Sequence, residues 1–319
     1  MENLDLKDRK ILYYLDINSR QSNSDIAKKV GLSKEVVNYR IKRLEKEGII
    51  KGYYTVLDFY KLGYISVRVY LKLIDTSPKK EGEIIDFLVK SRKVFFVFKA
   101  DGYIDIGFGT WVKNIYEFES FYLEFKKNFK EYIGKDFISI FTKAHHFHRA
   151  YLLEKEKDEI KAETVGREKE EDYDTLDLEI LKLLAKNAKI ETIEIAEKLN
   201  IAAKTAAFRI KQLEKKKIIQ AYRHIFDFEK FNYEYFKVDL NLKDIKRIPS
   251  LITFCYLNPN IIYIDETIGG SDFEFDVEIN GKKEFLELMS KLRNEFPEIR
   301  DWTYFTVQKY NKLLYFPED

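Results

Sequence analysis

The chain repeats itself at an offset of 169 residues. Asp8, Ile11 and Leu12 fall on Asp177, Ile180 and Leu181 without a gap, and Ile26-Ala27 meets Ile195-Ala196. Further on, Arg40-Ile41-Lys42 meets Arg209-Ile210-Lys211, and Leu44-Glu45-Lys46 meets Leu213-Glu214-Lys215. About 24 of roughly 66 positions from 8 to 73 are identical in this register. The period is too long for a solenoid, so the 319 residues hold two diverged copies of one domain-sized unit. Between the copies, 154–174 carries ten acidic and five basic side chains and almost no large apolar ones, the mark of a solvated linker or an exposed helix.

Each copy opens with helical spacing. Leu6, Ile11, Leu12 and Leu15 recur on one face, and Ser22 with Asp25 predicts a capping box for a second helix. Gly31 suits a left-handed C-cap, and Ser33 an N-cap for a third helix with Val36, Val37, Ile41 and Leu44 on its buried stripe. Two helices joined by a short Gly turn, the second one basic, form the helix-turn-helix pattern, and 51–57 reads as a wing or outgoing strand.

The period then changes to two. Ile65, Val67, Val69, Leu71 and Leu73 alternate with polar residues as a half-buried strand. A helix at 81–90, strands at 94–98 and 105–111, a helix striped by Ile115, Phe118, Tyr122, Phe125 and Phe129, and a strand at 137–143 follow. The order is βαββαβ, a ferredoxin-like sandwich. The second copy repeats it with strands at 236–242, 261–268, 273–279 and 301–308, a helix near Ile248 and a helix at 282–296. Its stripe Phe285, Leu288, Leu292 and Phe296 reads as core packing.

The fold class is therefore α+β, two tandem copies of winged helix-turn-helix plus ferredoxin-like domain. The expected domains are winged helix-turn-helix at 1–62, ferredoxin-like at 63–151, charged linker at 152–173, winged helix-turn-helix at 174–231 and ferredoxin-like at 232–319.

Composition excludes several classes. With 45% hydrophobic residues, 25 Phe and 22 Tyr, the chain is neither disordered nor low-complexity. A net charge of +2 makes any polyanion preference a matter of local clusters. The single cysteine, Cys255, forbids an intramolecular disulfide and a Cys-only zinc cage, which fits a reducing cytoplasm. A charged start and no run of eighteen apolar residues predict neither signal peptide nor membrane span, so the expected location is cytoplasmic.

The segments 4–12, 26–33 and 40–53, with Ile26-Ala27-Lys28-Lys29-Val30-Gly31-Leu32-Ser33 at their centre, closely resemble the Lrp/AsnC regulators. The resemblance covers nearly the whole chain, twice. It implies that the helix-turn-helix binds double-stranded DNA and that the ferredoxin-like domain self-associates. It also implies small effectors, often amino acids, received near a Gly-x-x-Asp turn. Gly102-Tyr103-Ile104-Asp105 and Gly269-Gly270-Ser271-Asp272 stand at that place, so Gly102, Asp105, Gly269, Gly270 and Asp272 are the candidate effector residues. A tight turn between antiparallel strands explains them equally well.

The first recognition helix carries Lys34, Arg40, Lys42, Arg43 and Lys46 against Glu35 and Glu45, with Asn38 able to pair bidentately with adenine. Ser33, Lys34, Asn38, Tyr39, Arg40, Lys42 and Arg43 are the candidate DNA contacts; a solvated face in a protein-contact module is the plain alternative. In the second copy Ser33, Lys34 and Asn38 become Ala202, Ala203 and Ala207, while six cations face one Glu. Lys204, Thr205, Arg209 and Lys211 therefore suit phosphate contact, with base reading lost or the whole module purely structural.

His145, His146 and His148 cluster near the end of the first copy, a metal pair or, more simply, a polar strand end; no metal and no cofactor is expected. No Gly-rich phosphate loop, nucleophile elbow or HExxH is present, and the chain is not expected to be an enzyme. The rival reading is a tetrapyrrole enzyme, because the siroheme decarboxylases resemble this double unit. Their His-Asn-Tyr run and paired-Arg wing are missing from this sequence.

Overall fold

The computed structural model describes residues 4–153 and 162–317. Helices α1 (Leu6–Ile17), α2 (Asn23–Val30) and α3 (Lys34–Lys46) form the first helix-turn-helix. Asp5, Ser22 and Ser33 cap them, each side chain accepting from the backbone N–H three residues on. Gly31, at φ 65, provides the left-handed turn between α2 and α3. Strand β1 (Ile50–Leu57) leads to β2 (Ile65–Leu73), α4 (Pro78–Lys90), β3 (Val94–Gly102), β4 (Ile106–Val112), α5 (Ile115–Phe129) and β5 (Ile133–Phe147).

The stretch 152–173, expected as a linker, instead supplies a fifth strand to this half. Strand β6 (Ala162–Gly166) pairs with the far end of β5, burying Val165. Its Glu163 meets the buried Arg223, so this part of the acidic stretch is held by an ion pair. Residues 154–161 of the expected linker lie outside the described residues.

The second copy runs α6 (Thr175–Lys186), α7 (Thr192–Leu199), α8 (Ala203–Lys215), β7 (Ile219–Phe226), β8 (Glu234–Leu242), α9 (Ile248–Tyr256), β9 (Ile261–Ile268), β10 (Phe273–Ile279), α10 (Gly281–Glu295) and β11 (Ile299–Leu313). Asn200 takes over the left-handed turn of Gly31, at φ 52. Ala202 gives α8 no side-chain cap, a loss of about 1 kcal/mol against Ser at such a position.

Both halves are four-stranded ferredoxin-like sheets, in the orders β5-β2-β4-β3 and β11-β8-β10-β9. They join at both edges, through β3 with β11 and β9 with β5, and close into a ring of eight strands. The two long strands make this possible. Strand β5 pairs with β2 up to Phe141 and with β9 from Ile140, and β11 passes in the same way from β8 to β3. Helices α4 and α5 cover one half over Val67, Val69, Phe108 and Phe125, and α9 and α10 cover the other over Phe236, Val238, Phe275 and Phe285. Each such side chain contributes roughly 1.5–3 kcal/mol on burial.

Three expected core positions are exposed: Leu6, Val36 and Ile115. Leu6 and Ile115 are the first residues of their helices, outside the packed turns, and Val36 lies off the stripe made by Val37, Ile41 and Leu44. Among the described residues no helix is long and apolar enough to cross a membrane.

Candidate nucleic-acid interface and interior cavity

Strands β1 and β7 pair antiparallel as a two-stranded ribbon between the helix-turn-helix modules. The register is its own image under the 169-residue repeat. Ile50 pairs with Phe226 and Leu57 with Ile219, Tyr53 with His224 and Thr55 with Tyr222, and Tyr54 faces its own equivalent, Arg223. A local two-fold axis therefore passes between Tyr54 and Arg223, as it would in a dimer.

Reciprocal braces straddle that axis. The Ser19 amide donates to the Tyr222 carbonyl at 2.8 Å, and the Ala188 amide to the Tyr53 carbonyl at 3.1 Å. Arg20 lies over the Tyr222 ring and donates to the Ala188 and Ile190 carbonyls, while Lys189 lies over the Tyr53 ring at 4.5 Å. Each tyrosine hydroxyl then reaches the recognition helix of its own module, Tyr53 to Glu45 at 2.5 Å and Tyr222 to Glu214 at 2.7 Å. The orientation of α3 and α8 is thus tied to the opposite module through a cation and a ring.

The outward faces of α3 and α8 differ. On α3, Ser33, Lys34, Tyr39, Lys42 and Lys46 are exposed, and the Asn38 carbonyl accepts from Asn23 at 3.2 Å, which fixes its amide plane. Arg40 and Arg43 do not stand free. Arg40 donates to Asp5 at 2.6 Å and to Asp8 at 2.9 Å, Arg43 donates to Asp8 at 2.6 Å, and both pairings tie α3 to α1. The second copy repeats the lock, with Arg209 2.8 Å from Asp174 and 3.3 Å from Asp177. On α8, Lys204, Thr205, Lys211 and Lys215 are exposed beside Ala203 and Phe208.

In both Gly-x-x-Asp turns the carboxylate is engaged at home. Asp105 accepts the Leu73 amide at 2.7 Å and Lys72 at 2.8 Å, and Asp272 accepts the Leu242 amide at 2.7 Å, the equivalent strand end. Gly102 runs at φ 140, where a Cβ would lie 2.7 Å from the Tyr304 carbonyl; Gly269 runs at φ 87, and a Cβ on Gly270 would strike Glu274.

The three histidines part company. His145 meets Tyr256 and Glu266, each at 3.1 Å, and His148 meets Glu163 at 3.0 Å. His146 turns inward, edge-on to Tyr263, with Nδ1 unpartnered. Among the described residues no group of three or more His, Cys, Asp or Glu side chains is placed to hold a metal ion.

Inside the ring of strands lies a cavity of about 640 Å³, capped at one end by the β1–β7 ribbon. The first half gives it an aromatic wall, including Tyr70, Phe96, Phe98 and Phe141; Gly107 and Gly109 on β4 leave room for the Phe98 and Phe96 rings. The second half gives it most of its charge. Lys237 Nζ stands 3.1 Å from Asp265, 2.9 Å from Glu274 and 3.5 Å from Asp276. Arg68 reaches Asp265 at 3.2 Å while lying 3.4 Å over the Phe141 ring. Burial pushes the carboxyl of Asp239 up to about 7 and that of Asp276 up to about 6, against the pull of Lys237.

Arg149 links this interior to the first helix-turn-helix. It holds Glu278 through two nitrogens at 2.8 and 2.9 Å, and Asp16 of α1 at 3.1 Å. Burial would raise the Asp16 carboxyl, but Arg223 and Arg149 outweigh it and keep the group well below the usual carboxylate range. Sequence reasoning did not single out Tyr53, Tyr222, Arg149 or Lys237.

Comparison with known proteins adds four findings. The winged helix-turn-helix DNA-binding family matches twice, at 4–51 and 173–220. An uncharacterised HTH-type transcriptional regulator of Pyrococcus furiosus is 34% identical over 121 residues, 80% of its length and 38% of this chain. The regulator LrpA of Pyrococcus horikoshii is 36% identical over 99 residues, 69% of its length and 31% of this chain. Among solved structures, the siroheme decarboxylase NirDL covers 98% of this chain and 94% of its own, with a TM-score of 0.67 at 13% identity. At that identity the likeness is one of fold.

Proposed function

Because the chain belongs to the Lrp/AsnC family of helix-turn-helix transcriptional regulators, we propose that it binds DNA sequence-specifically as a single-chain pseudo-dimer. In this reading the first recognition helix reads bases and the second clamps the backbone. The observation that carries it is the self-complementary β1–β7 register, which supports a dimer-like arrangement of two unlike modules. Asn38, Tyr39, Lys34 and Lys42 are the readers and phosphate contacts of the first module, with the N-terminus of α3 at Ser33 suited to a phosphate. Lys204, Thr205 and Lys211 are the clamp of the second. Arg40, Arg43 and Arg209 act by holding the helices, since their guanidinium groups are occupied by Asp5, Asp8, Asp174 and Asp177.

The salt dependence of binding to a selected duplex tests this directly. A log-log slope of about −4 to −7 is expected from five to eight phosphate contacts, and a slope near zero would remove the DNA reading. For an amino-acid-like effector, the engaged carboxylates of Asp105 and Asp272 favour a structural part in the turns around Gly102, Gly269 and Gly270. A thermal-shift screen of the amino acids, with variants at Asp105 and Asp272, separates the two roles.

A second reading, a tetrapyrrole enzyme, draws on the interior cavity and on the fold shared with NirDL, which has also been solved with an iron-uroporphyrin III analogue. A polycarboxylate macrocycle would have to enter beside Asp265, Asp276 and Glu278, and that electrostatic mismatch favours the regulator. A visible-spectrum titration with iron-uroporphyrin III distinguishes them.

A further inference from the structure

Among the described residues, the cavity wall and the layer directly behind it hold, besides Asp239, whose carboxyl burial favours in the protonated form, five carboxylates, on Asp16, Asp265, Glu274, Asp276 and Glu278, each no more than 3% exposed. Lys237, Arg149 and the half-buried Arg68 face them, and at the rim Lys309 is offset by Glu229. Arg223 and Glu163 balance one another, as do Lys51 and Asp227 near the ribbon. The surplus is therefore negative, in a space where charges interact more strongly than in water. Arg149 and Lys237 already spend their donors on these acids, so neither is free for an incoming anion.

A second observation points to an occupant. The Tyr70 hydroxyl, 4% exposed, and His146 Nδ1 line the cavity without a hydrogen-bond partner, and the 0% exposed His224 ring has the Leu15 backbone for one nitrogen and nothing for the other. Buried polar atoms are rarely left unsatisfied, and three in one cavity suit a ligand with polar groups of its own. The opposite wall is aromatic and already carries one cation on a ring face, the Arg68 guanidinium 3.4 Å over Phe141.

We propose that the barrel interior is a binding site for an amine-bearing organic cation, its ammonium against Asp265, Asp276 and Glu278 and its apolar body on the rings of Tyr70, Phe98 and Tyr263. The site does not depend on the DNA-binding reading, and either can fail without the other. The ribbon floor, with Tyr54 and His224, brings such a ligand into contact with the strands that join the two helix-turn-helix modules.

The test uses the full chain. Calorimetry measures binding of every probe, and the fluorescence of Trp111, which lines the cavity, reports occupancy by the probes without an indole ring, phenethylamine and spermidine. The probes are tryptamine, phenethylamine and spermidine as cations, indole-3-propionate as a matched anion, and iron-uroporphyrin III as a polycarboxylate. At least one amine is expected to bind with Kd below about 100 µM, and indole-3-propionate at least about tenfold more weakly than tryptamine. Asp276→Asn should lose about tenfold in amine affinity while the ligand-free protein melts no lower than the parent, because a surplus charge has been removed. Glu274→Gln replaces it if that variant does not fold. Binding by none of the amines, tighter binding of the anion or the porphyrin, or unchanged amine affinity in the folded variant would overturn the proposal.

Discussion

Tyr54 and Arg223 face each other on the local two-fold axis of the β1–β7 ribbon, although they are the same position in the two copies. In a symmetric dimer this position would meet itself. Two guanidinium groups there would repel in a buried site, and two tyrosines would leave Glu163 without its cation. In this chain the axis carries unlike residues, so that Arg223 reaches Glu163 with a tyrosine and not a second guanidinium opposite it. Arg223→Met should lower the unfolding free energy by about 3 to 5 kcal/mol, because Glu163 and the His146 and Phe147 carbonyls lose their donor. Chemical denaturation measures it, and a loss below about 1 kcal/mol would show that the pairing carries little.

The tyrosine braces give a second expectation. Tyr53→Phe and Tyr222→Phe each remove one hydroxyl bond to a carboxylate of a recognition helix, at a cost of about 1 kcal/mol in stability. Neither hydroxyl is proposed to touch DNA. Both variants should nevertheless bind a selected duplex more weakly in fluorescence anisotropy while enriching the same motif. Unchanged affinity in both would mean that α3 and α8 are held well enough without the braces.

Stability should depend on pH through the buried acids. Burial raises the folded Asp239 carboxyl to about 7, in a set of buried acids that titrate together, whereas an unfolded Asp releases its proton near pH 4. Between those values the folded chain binds more protons than the unfolded one, so this group's contribution is lost as pH rises. Asp239→Asn removes that loss and still accepts from Tyr103. The melting temperature of the variant relative to the parent should climb from pH 4 to pH 7 and level off above. A difference independent of pH would place the proton elsewhere in the cluster.

The buried histidines act in the other direction. Burial pushes His146 and His224 down to about 4, so both are neutral in the folded chain at pH 6, where an unfolded histidine is largely charged. Their contribution is lost as pH falls from about 6.5 toward 4. His224→Phe, which keeps a ring in place, should therefore flatten the acid limb of the melting curve. An acid limb identical to the parent's would exclude His224 as its source.

Much of this was legible in the sequence because it is local. The caps at Ser22 and Ser33, the left-handed turn at Gly31, and the strands 65–73, 261–268 and 273–279 fall where spacing and turn chemistry put them. The closed ring was not legible. It depends on the tails of β5 and β11, where Ala144-His145-His146-Phe147 and Lys309-Tyr310-Asn311-Lys312 show no clean alternation, since those residues change partner strand along their length. For the same reason nothing in the strand 273–279 pointed to Glu274, Asp276 and Glu278 lying inside, where all three are buried. The ion pairs of Arg40 and Arg209 had a signal that charge counting passed over. Asp8 and Arg40 recur as Asp177 and Arg209 at the same separation of 32 residues, which a pair held in both copies would do.

Reader and clamp should separate by mutation. Asn38→Ala should cost roughly 1–3 kcal/mol at the preferred site and relax the choice of base there. Lys211→Ala should weaken all sequences alike and reduce the salt slope by about one. A motif altered by Lys211→Ala and untouched by Asn38→Ala would reverse the assignment.

The account as a whole rests on two unlike helix-turn-helix modules set across one axis, and selection of bound duplexes from a random pool measures that most directly. It predicts one strongly informative half-site and, about 10 base pairs away, a second position of weak or no base preference. A palindrome with two equally informative halves, or no enrichment over the starting pool, would contradict it.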